Sequence, residues 1–195
     1  MSLNEIEDYD LLVQIRKNSC VFGQVYVKYR PLAFEFINFV ADKFELVIFC
    51  AGSPAYCEPV LDAVERDKKY FAHRIYSEHV LFQNANFPVK YYDFLFSCGR
   101  SKDDTIIVES DVATYCLNMF NGVPICPYKN VRTDVYDTEL AYLARCLDEL
   151  RKASSVSETI AAYIRDAALS QADYSVSEDK DDSSSEQGSM SLNTE

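Results

Sequence analysis

Four short stretches of this sequence carry residue types that can handle an anion. Cys50, Gly52 and Ser53 offer a thiol, a permissive backbone and a hydroxyl just ahead of a helix start marked by Pro54. Backbone N–H groups at a helix N-terminus attract phosphate, so this turn is either an anion cradle or a plain helix cap. Glu109, Ser110 and Asp111 follow a second apolar run. Paired acids at a strand end either hold Mg²⁺ or cap a loop. Lys90 follows an apolar-aromatic segment, where a lysine either neutralises a phosphate or is simply solvated. Cys126 and Arg132 have the C-x₅-R spacing of cysteine phosphatases, in which a thiolate attacks phosphorus. Pro127 removes an amide such a loop needs, no glycine lies between, and no histidine directly precedes Cys126, so this spacing reads as coincidence.

These positions matter only if the chain brings them to one edge. Residues 11–15 (LLVQI) and 21–29 (VFGQVYVKY) predict a hairpin, with Gly23 at a bulge. In RPLAFEFINFVADKF, Pro31 suits a first helical turn, and Leu32, Phe36, Phe39 and Val40 recur at helical spacing. ELVIFC (45–50) is short and continuously apolar, the pattern of a strand buried on both faces. Ser53 and Pro54 then open a helix with Tyr56, Val60, Leu61 and Val64 on its apolar side. Residues 73–83 predict a small β insert, and 89–100 a helical turn ending at Gly99. A second central strand falls in 103–110, a short helix capped by Asp111 in 111–118, and a third strand in 122–128. Residues 137–152 predict an amphipathic helix with Leu140, Leu143, Leu147 and Leu150 on one side, and 154–169 another. The alternation predicts an α/β domain around a mostly parallel sheet. Ligands bind such sheets at the carboxyl ends of the strands, which puts 50–53 and 109–111 at the working edge.

The parts divide as a frayed 1–10, a domain over 11–152, a helix over 153–170, and an acidic, serine-rich 171–195. That last stretch carries half of the net charge of −12 and little to bury, so it predicts a disordered tail. Ser175 and Ser183 each have a glutamate three residues on, a pattern that suits acid-directed kinases. The acidic body argues against a direct nucleic-acid grip. Seven cysteines without C-x-x-C spacing, several inside apolar runs, predict reduced, buried thiols in the nucleus or cytoplasm. No apolar run reaches the ~20 residues of a bilayer span, and the acidic first residues do not resemble a targeting peptide.

Taken in order, the segments VYVKYRPLAFEFINFV, FELVIFCAGSPAYCEPVLDAVE and HRIYSEHVLF, then Lys90, Gly99-Arg100, TIIVES, and FNGVPICPY followed by DTELAYLARCLDEL, resemble the NLI-interacting-factor-like phosphatases. These include the small phosphatases of the RNA polymerase II C-terminal domain, within the haloacid dehalogenase superfamily. The resemblance covers residues 11–152 and implies a haloacid-dehalogenase-like, Rossmannoid fold with a small β insert. It implies phosphoryl transfer from phosphoserine through an aspartyl-phosphate, with Mg²⁺ on the phosphate oxygens. It assigns Lys90 and Cys50 to catalytic positions, Ser53 and Lys90 to phosphate binding, and Glu109 and Ser110 to the metal.

The departures are physical. The D-x-D-x-T strand that carries the nucleophile should precede the hairpin, and MSLNEIEDYD does not supply it. Cys50 stands where the family has threonine, Glu109 and Ser110 where it has an aspartate pair, and Tyr91 where an aspartate follows the lysine. Ser77 replaces an arginine of the insert, while Arg74 is kept. A thiol is a weaker donor than a hydroxyl, and Mg²⁺ tolerates little geometric slack. The expectation is a degenerate phosphatase fold, without its first catalytic strand, acting as a phosphoserine-protein binding or scaffold module. One alternative is an active Mg²⁺-dependent serine/threonine phosphatase whose first strand is missing from this sequence. Another is the mitochondrial inner-membrane import receptor that shares the domain. A lost central strand predicts an exposed sheet edge that pairs with another chain.

Overall fold

The computed structural model describes residues 9–17, 20–84, 87–129 and 136–182. Strands β1 (Leu11–Lys17) and β2 (Cys20–Val27) form the predicted antiparallel hairpin. Ile15 faces Gly23 and Arg16 faces Val21, so Phe22 is the extra residue of a bulge and stands 80% exposed. Arg30 to Ala33 is a turn closed by the Ala33 N–H on the Arg30 carbonyl, with Pro31 second and Leu32 at φ 65°. Helix α1 (Ala33–Ala41) follows, so Pro31 sits in the turn before the helix. Its φ suits the second position of such a turn as well as a helix start.

Strand β3 (Leu46–Phe49) leads into α2 (Pro54–Val64), with Pro54 at the first helical position and Ser53 before it. The Ser53 hydroxyl makes no capping bond. Strand β4 (Phe71–Ile75) runs parallel to β3. Residues 73–75, read from sequence as part of the insert, therefore belong to the main sheet. Their pattern misled because Ala72 and His73 are exposed on an outer strand. The insert proper is the antiparallel pair β5 (Val80–Asn84) and β6 (Phe87–Lys90). Helix α3 (Asp93–Ser97) ends at Gly99, which has φ +90°. Strand β7 (Ile107–Glu109) pairs in parallel with β8 (Gly122–Pro124). Between them Val112–Asn121 forms 3₁₀ turns, capped by Asp111 Oδ1 on the Ala113 N–H at 3.0 Å.

Helix α4 (Glu139–Leu150) buries all four predicted leucines. Leu140, Leu143 and Leu147 pack with Val40 of α1 against Leu46, Ile106 and Val123. Cys57 and Leu61 of α2 pack with Tyr76 against Ile48 and Phe71. Tyr92 and Tyr115 cover Ile107 and Phe49, the latter on the opposite face of β3 from Ile48. Helix α5 (Val156–Asp182) starts on Leu150 through Val156 and Ile160. It runs through Gln171–Asp182, where composition led to the expectation of a structureless tail. Extending a nucleated helix through alanine, glutamate and lysine costs far less than starting one. Residues 183–195, Ser183 included, lie outside the described residues.

The expected single, mostly parallel sheet is thus present as four two-stranded pieces, two of them parallel. Pairs β4–β3 and β7–β8 are flanked by helices on both sides but are not hydrogen-bonded to each other. Four thiols are exposed (Cys20, Cys98, Cys116, Cys126), and only Cys57 is buried. The expectation of buried thiols fails because most of these cysteines sit at strand ends and turns rather than inside the apolar faces.

Candidate functional site

Two of the residues singled out from sequence, Lys90 and Glu109, meet beside Phe49 at the carboxyl ends of β6, β7 and β3. Lys90 closes β6, and its Nζ donates to Glu109 Oε2 at the end of β7. Both side chains are mostly sheltered, at 12% and 17% exposed. The ammonium also lies 5.6 Å from the centre of the Phe49 ring, the last residue of β3. Such cation–ring contacts strengthen when water is excluded. Phe49 in turn meets Tyr92 at 5.2 Å and Phe94 at 6.4 Å, and Phe94 stacks on His79 at 4.6 Å. This aromatic floor holds β6 and α3 against the tip of β3. It was invisible in the sequence except as the run Tyr91-Tyr92-Asp93-Phe94, whose partners come from other elements.

Cys50 follows Phe49, and its N–H donates to the Ile75 carbonyl at 2.8 Å. Burial pushes its thiol up to about 12, and the neighbouring Cys57 thiol adds to the rise. The group is therefore protonated at neutral pH and is neither a thiolate nucleophile nor a charge for an anion to avoid. Iodoacetamide at pH 8 is expected to label Cys20, Cys98, Cys116 and Cys126 in the folded protein while sparing Cys50 and Cys57. Peptide mass mapping checks this, and labelling of Cys50 at the rate of the exposed four would contradict it. Ser53 lies one turn further on, exposed at the N-terminus of α2.

At the second junction Glu109 is paired with a cation, and the exposed Asp111 is engaged through one oxygen. Glu109 accepts from Lys90 and, through Oε1, from the Ser110 N–H at 3.0 Å. Asp111 is committed to its cap on Ala113. Among the described residues no three of His, Cys, Asp and Glu converge. Mg²⁺ requires near-octahedral oxygen donors. Glu109 and Ser110, the expected metal pair, present one carboxylate already paired with an ammonium, so the donor set does not fit that ion. Of the C-x₅-R pair, Cys126 gives only its carbonyl, to Arg30 at 2.7 Å, and Arg132 lies outside the described residues.

A larger ion cluster sits on the outer face of α2. Arg74 on β4 donates to Glu58, to Asp62 at 2.8 Å and to Glu65. The Tyr76 hydroxyl also donates to Glu58. Glu65 accepts the Tyr70 and Phe71 N–H groups at 2.6 and 2.8 Å. Arg74 therefore ties helix to strand on the outer face. Asn121 is used likewise: its Nδ2 donates to the Lys102 and Thr105 carbonyls at 2.6 and 2.8 Å, locking the start of β8 to the approach of β7.

The family model for the NLI interacting factor-like phosphatase matches residues 2–157. The chain belongs to that family. It is similar to the CTD small phosphatase-like protein 1 of Caenorhabditis elegans, 30% identical over 80% of this chain and 30% of that protein. It is similar to the probable C-terminal domain small phosphatase of Dictyostelium discoideum, 30% identical over 80% of this chain and 48% of that one. The human carboxy-terminal domain RNA polymerase II polypeptide A small phosphatase 2 is 31% identical over 80% and 54%. The chain thus spans from about a third to about half the length of these curated relatives. The NLI interacting factor-like match covers both parallel pairs, the insert and α4, so the strand-end residues above lie inside it.

Proposed function

We propose that this chain is a phosphoprotein-binding module on a phosphatase fold, with no turnover of its own. The observation that carries the reading is the Lys90–Glu109 pair. At the strand ends, where hydrolysis through a phospho-enzyme needs a free carboxylate, the sheltered carboxylate of Glu109 is neutralised by the lysine. Preorganised charge is usually the largest catalytic contribution, and here it is internally cancelled. A phosphoserine dianion, with more charge and more acceptors than a carboxylate, competes for Lys90. The Ser53 hydroxyl, free of a capping bond, and the Ala55 N–H in the first turn of α2 supply further donors, since Pro54 has no N–H and those of Tyr56 and Cys57 donate to the Ser53 carbonyl. Phosphoserine proteins are the partner class this favours, by family and by chemistry.

The test is a titration of the purified chain with a labelled phosphoserine peptide and its unphosphorylated twin. The phosphorylated peptide should bind at least tenfold more tightly, and Lys90→Gln should remove that preference, since a bond to a charged group is worth about 1.5–3 kcal/mol. A chromogenic phosphate ester with Mg²⁺ should release no phosphate above buffer. Turnover that disappears in Lys90→Gln would overturn the reading in favour of an active phosphatase. Equal binding of the two peptides would overturn it in favour of a scaffold with no phosphate site.

A further inference from the structure

The turn between β3 and α2 brings two thiols together. Cys57, one turn into α2, is buried and packs with Leu61 and Tyr76. Cys50, just after β3, packs against the same cluster beside Ile48 and Phe71. The two sulfurs are close enough that Cys57 helps to hold the Cys50 thiol protonated. Among the described residues they are the only two cysteines that share an apolar cluster.

Local backbone bonds put them there. The Cys50 N–H is held by the Ile75 carbonyl at 2.8 Å, and the Gly52 carbonyl accepts from the Ser77 N–H at 3.2 Å. Both ends of the turn are thereby pinned to the end of β4 and the residues after it. The Cys57 N–H donates to the Ser53 carbonyl at 3.0 Å, which closes the first turn of the helix. Gly52 leaves room between them. A Cβ there would stand 2.9 Å from Cys57 Sγ, so the sulfur lies directly over the turn.

Two thiols in one apolar pocket have few uses. Zinc takes at least three protein ligands, and among the described residues no three of His, Cys, Asp and Glu converge. A nucleophile needs a thiolate. Lys90 and Arg74 favour one at Cys50, but burial outweighs them, and both cations are paired with carboxylates. A disulfide carries no charge, so it suits a pocket that disfavours the thiolate. Strongly oxidising pairs owe that character to a stabilised reduced form. This pair has no such stabilisation, which favours the closed state.

We infer that Cys50 and Cys57 are a redox pair that closes to a disulfide across the 50–57 turn, with a small disulfide such as oxidised glutathione as the oxidant. Cys50 is the more accessible of the two and reacts first. Its sulfur gives up a proton and bonds to one glutathione sulfur, and the other glutathione leaves and takes up a proton. The Cys57 sulfur then attacks Cys50 Sγ with loss of its own proton, and the second glutathione leaves as a thiol. Two protein thiols are oxidised and one glutathione disulfide is reduced to two thiols. The closed ring contains Gly52 and Ser53. Oxidation therefore ties the first turn of α2 to the end of β3 and fixes the Ser53 hydroxyl between them. The inference stands whether or not Ser53 and Lys90 hold a phosphate.

The test is equilibration of the purified, folded chain at pH 8 in glutathione buffers of rising oxidised-to-reduced ratio, followed by an acid quench and peptide mass mapping. Trypsin cuts after Lys43 and Arg66, so residues 44–66 leave as one peptide carrying both cysteines. At the oxidising end that peptide should be lighter by two hydrogen atoms and carry no glutathione, and dithiothreitol should reverse the change. Closure should be slower than the uptake of glutathione by the exposed Cys20, Cys98, Cys116 and Cys126, because the attacking thiol is protonated. Cys50→Ala and Cys57→Ala should each abolish the bridged peptide and leave those four thiols reacting as before. The oxidised wild type should melt several degrees above the reduced form, a difference absent in Cys57→Ala. A 44–66 peptide still reduced at the most oxidising ratio overturns the inference. So does a lasting glutathione adduct on Cys50 of the wild type, because the two sulfurs then do not meet. A bridge that forms in urea but not in the folded chain overturns it as well.

Discussion

Replacing Arg74 by alanine is expected to destabilise the domain by about 3–5 kcal/mol, the usual cost of removing one partner from a buried ion pair. The effect comes from Glu65. Its side chain is 1% exposed, while Glu58 and Asp62, the other partners of Arg74, are 41% and 62% exposed. Surface pairs contribute little, so the buried one dominates. Burial pushes the Glu65 carboxyl up, but the Phe71 N–H, the Arg74 guanidinium and the Tyr70 N–H together bring it down to about 2. A carboxyl held at about 2 instead of 4.5 stabilises the fold by about 3 kcal/mol. Because the folded value lies below the unfolded one, that contribution is complete above about pH 5 and fades as pH falls toward 2. In Arg74→Ala the carboxylate loses its counter-charge, and the melting temperature at pH 7 should drop by roughly 10 °C. Adding Glu65→Gln removes the stranded charge but keeps an acceptor for the two N–H groups, and should recover at least half of the loss. The gap between wild type and Arg74→Ala should narrow at pH 3. A gap that stays constant from pH 7 to pH 3 would show that packing of the arginine stem, rather than charge, links α2 to β4.

The same cluster marks where reading the sequence stops. Glu58, Asp62 and Glu65 recur at helical spacing, so one acidic face of α2 was legible. Its partner was not, because Arg74 reaches that face only through the parallel register of β4 on β3, a pairing set by residues that look polar. Local signals fared well where a single residue decides the backbone. Pro54 starts α2, Gly99 takes positive φ, Asp111 caps the turn after β7, and the leucines of α4 face inward. Lys90 and Glu109 were each recognisable from position in the α/β order, but their mutual contact depends on how the insert folds back over β3. From sequence the expectation was a mostly parallel sheet without its first catalytic strand and with an exposed edge. The structure has two separate parallel pairs with a cavity between β3 and β7, and which edges face that cavity is not encoded in any local pattern.

Gly122→Ala is the second substitution with a large expected cost, at least about 3 kcal/mol, the upper end for overpacking a core. A Cβ at Gly122 would lie 2.0 Å from Tyr115 Cε2, 2.5 Å from Cδ2 and 2.7 Å from Cζ. Neither side can yield. Tyr115 is 3% exposed and wedged among Tyr92, Ile107 and Phe49. The backbone at Gly122 is pinned by β8's pairing with β7 and by the anchored side chain of Asn121 just before it. Two other glycines calibrate the claim. At Gly52 a Cβ would meet Cys57 Sγ at 2.9 Å, the movable end of a side chain, so Gly52→Ala should cost about 1 kcal/mol. At Gly23 nothing lies within 4 Å, and alanine there should be close to neutral, within about 0.5 kcal/mol. Urea melts of the three variants should therefore rank Gly122 far above Gly52, with Gly23 last. Tyr115→Leu in the Gly122→Ala background opens the space the methyl needs and should restore part of the loss. That rescue separates a steric clash from any intrinsic preference for glycine, because φ at this position is −89° and alanine adopts it freely. If the double variant is no more stable than Gly122→Ala alone, the aromatic ring is not what sets the spacing between β8 and the 3₁₀ turns.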